Sequence, residues 1–253
     1  MIVAQVDQPP RRATLSRPAL LRLLDTLDGC AGASARTLYA PAGRATAAPV
    51  ADAAPLLDVL GDSSTGVVVF WGESAAMAIA PPFPLGDAAT YDGYATGPLR
   101  GLLERAHALG VVLVRLGGFS VGVYRDGRFV DSKTGGRFVK NRHRKGGQSQ
   151  RRFERIREGQ IREHFDDVAE VVRTKLLPVA AELDWVVLGG DRHTVQALLK
   201  RAPLPPPLAA RLLPRVIDTP EPRREVLERT PALIWSSRAV ILRDPRADAT
   251  TGP

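Results

Sequence analysis

An α/β protein with a mixed sheet is the fold class this sequence predicts, and three observations carry it. In the second half, strand-like and helix-like segments follow the order strand, hairpin, helix, strand, helix, strand, helix. That order packs helices against a sheet with both parallel and antiparallel neighbours. Asp126-Gly127 lies between two stretches of alternating apolar residues, the mark of a tight hairpin. A helical repeat of apolar residues at 153, 156, 165, 168, 172 and 176 separates that hairpin from the next strand.

The elements are justified in chain order. Residues 1–13 read as a loose start, with Pro9, Pro10 and two arginines. Ser16 is placed to cap a helix that takes Pro18 into its first turn and stops at Gly29. "ARTLYAPAG" reads as a short strand and turn, and "ADAAPLLDVLG" as a helix with a glycine stop. "GVVVFWG" (66–72) is a buried strand, with "SAAMAIAPPFPLG" as its partner. The Pro- and Gly-rich stretch 81–98 is the expected boundary between an N-terminal accessory α/β region, 1–95, and a second domain, 96–243. That domain opens with a helix, "LRGLLERAHALG", stopped at Gly110, then a strand, "VVLVRL" (111–116), then the hairpin. The long helix reaches about Leu177, ahead of Pro178, with Gly159 as its weak point. "DWVVLGG" (184–190) is a buried strand, "DRHTVQALLKR" a helix beginning at or near Asp191, and "LPRVIDTP" a short strand. "EPRREVLERTPALIWSSRAVIL" opens with a helix, and a disordered tail is expected over 244–253.

Composition narrows the function. The chain has 253 residues, 44% apolar and 25% charged, which is ordinary for a globular protein. Its formal charge is +8, and the excess is local. Ten of the 35 Lys and Arg fall between 136 and 162 with only Glu154 and Glu158 of the 27 acids, so the remaining 25 bases balance the remaining 25 acids. A neutral globule with one cationic segment fits a polyanionic partner such as nucleic acid; the plainer alternative is a solvated charged face. The single cysteine, Cys30, rules out an internal disulfide and fits a reducing cytoplasm. "MIVAQVDQPPRRATLS" has no apolar leader, and the longest apolar runs are too short for a bilayer. His107, His143, His164 and His193 are scattered, with no metal-ligand spacing, so neither a metal nor another cofactor is expected.

Inside the cationic segment stands Gly146-Gly147-Gln148, where the hairpin hands over to the long helix. Two glycines allow close approach of backbone to a ligand; a plain flexible turn is the alternative. Gln148 falls at the helix start, where free N–H groups and the positive dipole end favour an anion or a developing oxyanion. Its amide is no general base, but it can hold a water or a ribose hydroxyl through a donor and an acceptor. That suits an activated substrate such as an ester, which needs an oriented water more than a strong base.

The segment "GGRFVKNRHRKGGQSQRRFERIRE" resembles the catalytic domain of the eukaryotic and archaeal class 1 peptide-chain release factors. In them a basic, His-containing run precedes Gly-Gly-Gln-Ser and an Arg-Phe-x-Arg-x-Arg helix follows. His143, Gly146, Gly147, Gln148, Ser149, Arg152, Phe153, Arg155 and Arg157 occupy those places. The longer pattern, with "GGFSVGVYRDGRFVDSK", "WVVLGG" and "PRREVLER", is similar to the release-factor-like hydrolases of ribosome-associated quality control, the VLRF group.

The resemblance implies an RNase H-like mixed-sheet catalytic domain, with a basic loop at 136–150 and without RNase H chemistry. It implies water attacking the ester between a nascent peptide and P-site tRNA. Gln148 would position the water, and Gly146 and Gly147 would let the loop enter the peptidyl transferase centre. Lys140, Arg142, His143, Arg144, Lys145, Arg151, Arg152 and Arg155 would bind tRNA and rRNA of the large ribosomal subunit. The stop-codon domain of those factors carries Asn-Ile-Lys-Ser, a sequence this chain does not contain. Codon-independent release by a cytoplasmic monomer on stalled or obstructed complexes is therefore the expectation; the alternative is a non-catalytic module that tethers to rRNA or tRNA.

Other residues read more plainly. Glu154 and Glu158 lie at helical spacings from Arg155 and Arg162, as ion-pair partners rather than catalytic acids. Asp166 and Asp167, adjacent on a helix, point about 100° apart and suit an exposed face. Trp71, Trp185 and Trp235 read as core. "GGDRH" (189–193) lacks phosphate-loop spacing and reads as a strand-to-helix turn. Ten like charges beside two glycines are expected to keep residues 137–149 mobile without RNA.

Overall fold

The computed structural model describes residues 9–43, 53–137, 139 and 148–246. In chain order the elements are β1 (Arg11–Leu15), α1 (Arg17–Asp28), β2 (Arg36–Ala40), α2 (Ala54–Leu60), β3 (Val67–Trp71), β4 (Ala76–Ala80), β5 (Ala89–Asp92) and α3 (Gly97–Glu104). There follow β6 (Leu109–Arg115), β7 (Gly118–Arg125), β8 (Arg128–Gly136), α4 (Gln148–Lys175), a short 3-10 helix (Leu177–Glu182), β9 (Trp185–Gly190) and α5 (Arg192–Arg201). The last are α6 (Pro206–Ala209), β10 (Leu212–Ile217), α7 (Arg224–Ile234) and β11 (Ser237–Arg243). The chain divides into two compact units, Met1–Arg105 with Ala232–Pro253, and Ala106–Pro231.

The first unit is built on a six-stranded sheet in the order β1-β11-β4-β3-β2-β5, antiparallel throughout. Both of its faces are covered. Val68 and Phe70 of β3 join Leu20, Leu23 and Leu24 of α1 and Leu99 of α3 in one core. Val67 and Val69 join Leu56 and Leu60 of α2 in another. Because alternate residues feed opposite cores, "GVVVFWG" is continuously apolar. Ser16 caps α1 by accepting from Ala19 N, and Gly29 follows its last turn, as the sequence reading expects.

Three expectations shift here. Residues 11–15 are not loose: β1 pairs along its length with β11, from Arg11 opposite Ile241 to Leu15 opposite Ser237. The stretch 81–98 is no linker, since Phe83 is fully buried and β5 pairs with β2. Its prolines and glycines shape turns within the sheet. The compact units divide at 105/106 rather than 95/96, and β11, expected in the second domain, completes the first sheet because its neighbours β1 and β4 lie there. Of the expected tail, Asp244–Arg246 are described, with Arg246 paired to Asp244 (2.7 Å); 247–253 lie outside the described residues.

The second unit carries a five-stranded sheet in the order β10-β9-β6-β7-β8. β10, β9 and β6 run parallel, while β6, β7 and β8 form an antiparallel meander. Numbered within the unit and read from the β8 edge this is 3-2-1-4-5, the mixed sheet expected of an RNase H-like domain. Asp126 (φ 49°) and Gly127 (φ 80°) form the β7–β8 turn, both positive as a type I′ turn requires. Gly110 is not a helix stop. α3 ends at Glu104, and Gly110 lies within β6, where Leu183 and Leu176 crowd it so closely that a Cβ would stand 2.9 and 3.2 Å from them.

α4 and α5 cover one face of this sheet. Phe165, Val168 and Val172 of α4 and Val195 and Leu198 of α5 pack with Val112, Val114, Val121, Val123, Val186 and Leu188. Gly190-Asp191 is the strand-to-helix turn read from "GGDRH": Asp191 caps α5, accepting from Thr194 N (2.8 Å) and Thr194 Oγ1 (2.6 Å). Trp235 is buried, while Trp71 and Trp185 are partly exposed.

Candidate active site

The chemistry-bearing triplet lies between β8 and α4. Gly146 and Gly147, with Lys140, Arg142, His143, Arg144 and Lys145, fall outside the described residues; so does most of the span 137–149 expected to be mobile. Gln148 is the first residue of α4, and Arg151 sits in its first turn. What the structure defines is the frame that carries the segment, at both of its ends.

At the first end, β8 lies tight against the β6–β7 turn. A Cβ at Gly136 would stand 2.6 Å from the Gly117 carbonyl oxygen, so only glycine fits. The next residue, Arg137, donates its backbone N–H to that same carbonyl (3.0 Å). Its guanidinium reaches across to α4, bonding Glu163 Oε2 (2.7 Å) and Asp167 Oδ2 (3.0 Å). Farther along, Lys175 Nζ holds both oxygens of Asp131 in β8 (2.8 and 2.9 Å). Strand and helix are thus tied at two points before the basic segment begins.

His164, next to this clamp, is fully buried. Its Nε2–H donates to the Arg115 carbonyl (2.9 Å), and the Phe119 and Phe165 rings flank it at 6.0 and 5.9 Å. Burial pushes its pKa below the ordinary histidine value, partly opposed by the bond to Arg115. Arg115 continues the chain of bonds to Thr219 O (2.7 Å) and Asp218 (3.1 Å), ahead of α7.

At the second end, α4 projects. From Arg152 to Glu163 no residue is buried, and Gln148 stands about 20 Å along the axis from Ile161, at about 1.5 Å per residue. Arg152, Arg155 and Arg162 are exposed and Arg157 is half-buried. Arg162 Nε donates to the Glu158 backbone carbonyl (3.4 Å). The first turn contains no acid, so no carboxylate of that turn offsets the positive end of the helix dipole. Its leading N–H groups lack intrahelical acceptors and suit a developing negative charge. Asp166 pairs with Arg201 (3.2 Å) and Asp167 with Arg137, so the two adjacent acids diverge. Among the described residues no group of three His, Cys, Asp or Glu could hold a metal ion.

A profile of the family described as Actinobacteria/chloroflexi VLRF1 release factor matches residues 107–240, more than half of the chain. The chain belongs to that family. The VLRF1 match opens at the start of the second unit and closes within β11. Peptide chain release factor subunit 1 of Aeropyrum pernix is 29% identical over 163 residues, covering 60% of this chain and 44% of its own length. The protein of the same name from Thermococcus onnurineus is 34% identical over 124 residues, covering 46% and 29%. The VLRF1 chain therefore spans less than half the length of these curated relatives. Among solved structures, a crystal structure of an archaeal translation termination factor aligns over 84% of this chain and 68% of its own, at TM-score 0.39 and 22% identity.

In the sequence Arg137 is simply one more cation of the VLRF1 basic segment. The structure instead commits it to Glu163 and Asp167. The available signal was that acid pair, four residues apart on one helix face, just past the cationic run. His164 left no comparable trace, because its role depends on a carbonyl 49 positions away.

Proposed function

We propose that this VLRF1 chain is a peptidyl-tRNA hydrolase that acts on the ribosome without reading a codon, in stalled or obstructed large-subunit complexes. The observation that carries the proposal is the place of Gly146-Gly147-Gln148: at the hand-over from a clamped strand to the acid-free start of a projecting helix, in a chain of a release factor family.

In this reading the Gln148 amide orients a water against the ester carbonyl carbon. A C–O bond forms as water attacks, and the bond to the terminal ribose oxygen breaks. The water's protons end on the ribose hydroxyl and the carboxyl product, which ionises at neutral pH. No strong base is needed, because the ester is already activated, and helix N–H groups at the start of α4 are suited to the oxyanion. Gly146 and Gly147 let backbone approach the ester. Lys140, Arg142, His143, Arg144, Lys145, Arg151, Arg152 and Arg155 contact phosphates of tRNA and rRNA. The partners are the large subunit and P-site peptidyl-tRNA, the compartment is the cytoplasm, and the chain acts as a monomer without a cofactor. Among the described residues no helix is long and apolar enough to cross a membrane.

Release of labelled peptide from P-site peptidyl-tRNA, with Gly147→Ala and Gln148→Ala beside the wild type, tests the proposal. Loss of release in both variants, with binding retained, is the expected result. Equal release by all three refutes a catalytic Gln148, and binding without release by any of them leaves the tethering module.

A further inference from the structure

Phe153 and Ile156 are 45% and 37% exposed, and they are the exposed large apolar side chains that stand one turn apart on a single helix. At about 100° per residue they do not continue the stripe of Phe165, Val168 and Val172 that packs on the sheet. They fall on the side of α4 that farther along presents Glu163 and Asp167 to Arg137. Neither belongs to the core cluster that α4 forms with the sheet.

Their borders are cationic. The same helical spacing puts Arg152 on one side of the pair and Arg157 on the other, with Arg155 farther round beyond Arg152 and with Glu154 and Glu158 farther round beyond Arg157. An exposed ring and aliphatic side chain with guanidinium groups on both borders match a polyanion that also offers flat apolar faces. Unpaired RNA has that chemistry, with phosphates for the arginines and a base for the ring. A protein partner suited to this strip would need an acidic rim and could use any apolar side chain in place of the ring.

We infer that Phe153, backed by Ile156, is a stacking platform for one unpaired RNA base, with Arg152 and Arg155 holding the flanking phosphates. The inference rests on the reading of the basic segment as RNA-facing, and it adds a contact that depends on the aromatic ring rather than on charge. Stacking and phosphate contacts separate cleanly in a salt series. Loss of a phosphate contact flattens the dependence of log affinity on log salt, whereas loss of a stack lowers affinity at every salt concentration with the slope unchanged.

The test is binding of the full chain to purified large ribosomal subunits across a salt series, with helix content checked by circular dichroism. Phe153→Ala and Phe153→Leu are expected to bind about tenfold more weakly or worse with the wild-type slope, and Phe153→Trp to retain affinity. Wild-type affinity in Phe153→Leu overturns the inference in favour of an apolar contact with protein, and loss in Phe153→Trp overturns it because a platform accepts the larger ring. Arg152→Ala and Arg155→Ala should each reduce the salt slope by about one. Unchanged slopes in both overturn the RNA-facing reading itself, whatever Phe153 does.

Discussion

The two halves of α4 are one continuous helix under opposite physical rules. From His164 onward one face is buried: Phe165, Val168 and Val172 pack on the sheet, and Lys175 grips Asp131. From Arg152 to Glu163 no residue is fully buried, and Arg152, Arg155 and Arg162 are exposed. Both halves carry apolar residues at helical spacing, yet only one set reaches a core. The comparison teaches that helix formation and helix packing are separable. Burial of the second half and the Arg137 clamp fix the direction of the whole rod, so the first half needs no tertiary contacts to hold Gln148 at a set distance from the domain. An isolated helix of that length would be marginal in water.

The same substitution in each half gives the sharpest contrast. Phe165→Ala, at a residue 3% exposed, should cost about 3–5 kcal/mol in denaturant unfolding. Phe153→Ala should stay within about 0.5 kcal/mol. Equal costs would break the comparison.

Acidification should act on the buried half as well. His164 has a depressed pKa in the fold, so its contribution is fully present above the ordinary histidine value of about 6.5 and is lost as pH falls through the folded value. Unfolding midpoints measured at pH 7 and pH 5 should drop in the wild type by more than in His164→Gln.

A smaller effect belongs to the clamp. Arg137 and its acids are partly exposed, so Arg137→Ala should lower stability only slightly, and less at high salt. Its larger consequence is for aim. Hydrogen exchange at residues 135–137 should accelerate in Arg137→Ala, and unchanged exchange would mean that the backbone bond to Gly117 suffices.

Elements whose signals are local were legible in the sequence. Ser16 with Pro18 announced α1, Asp126-Gly127 announced the hairpin, and the doubly buried β3 announced itself as an unbroken apolar run. Elements defined by distant partners were not. "RRATL" has no strand-like run of its own; β1 exists because β11, at the far end of the chain, offers it an edge. The domain boundary failed for the same reason, since Pro and Gly at 81–98 mark turns as readily as linkers. In α4 the helix was plain, but which half packs depended on angular phase: Phe153 and Ile156 look like Phe165 and Val168 in a list of apolar positions and differ only around the axis. The triplet was legible because its chemistry is contiguous, whereas the frame that aims it joins 115, 137, 163, 164 and 167 across the fold.

One measurement tests the central claim most directly: release of labelled peptide from peptidyl-tRNA in the P site of isolated large subunits, with no stop codon present, by wild type and by Gln148→Ala. The account predicts release by the wild type and a loss of roughly a hundredfold or more in the variant, with binding to the subunit unchanged. Release by Gln148→Ala at the wild-type rate would contradict it.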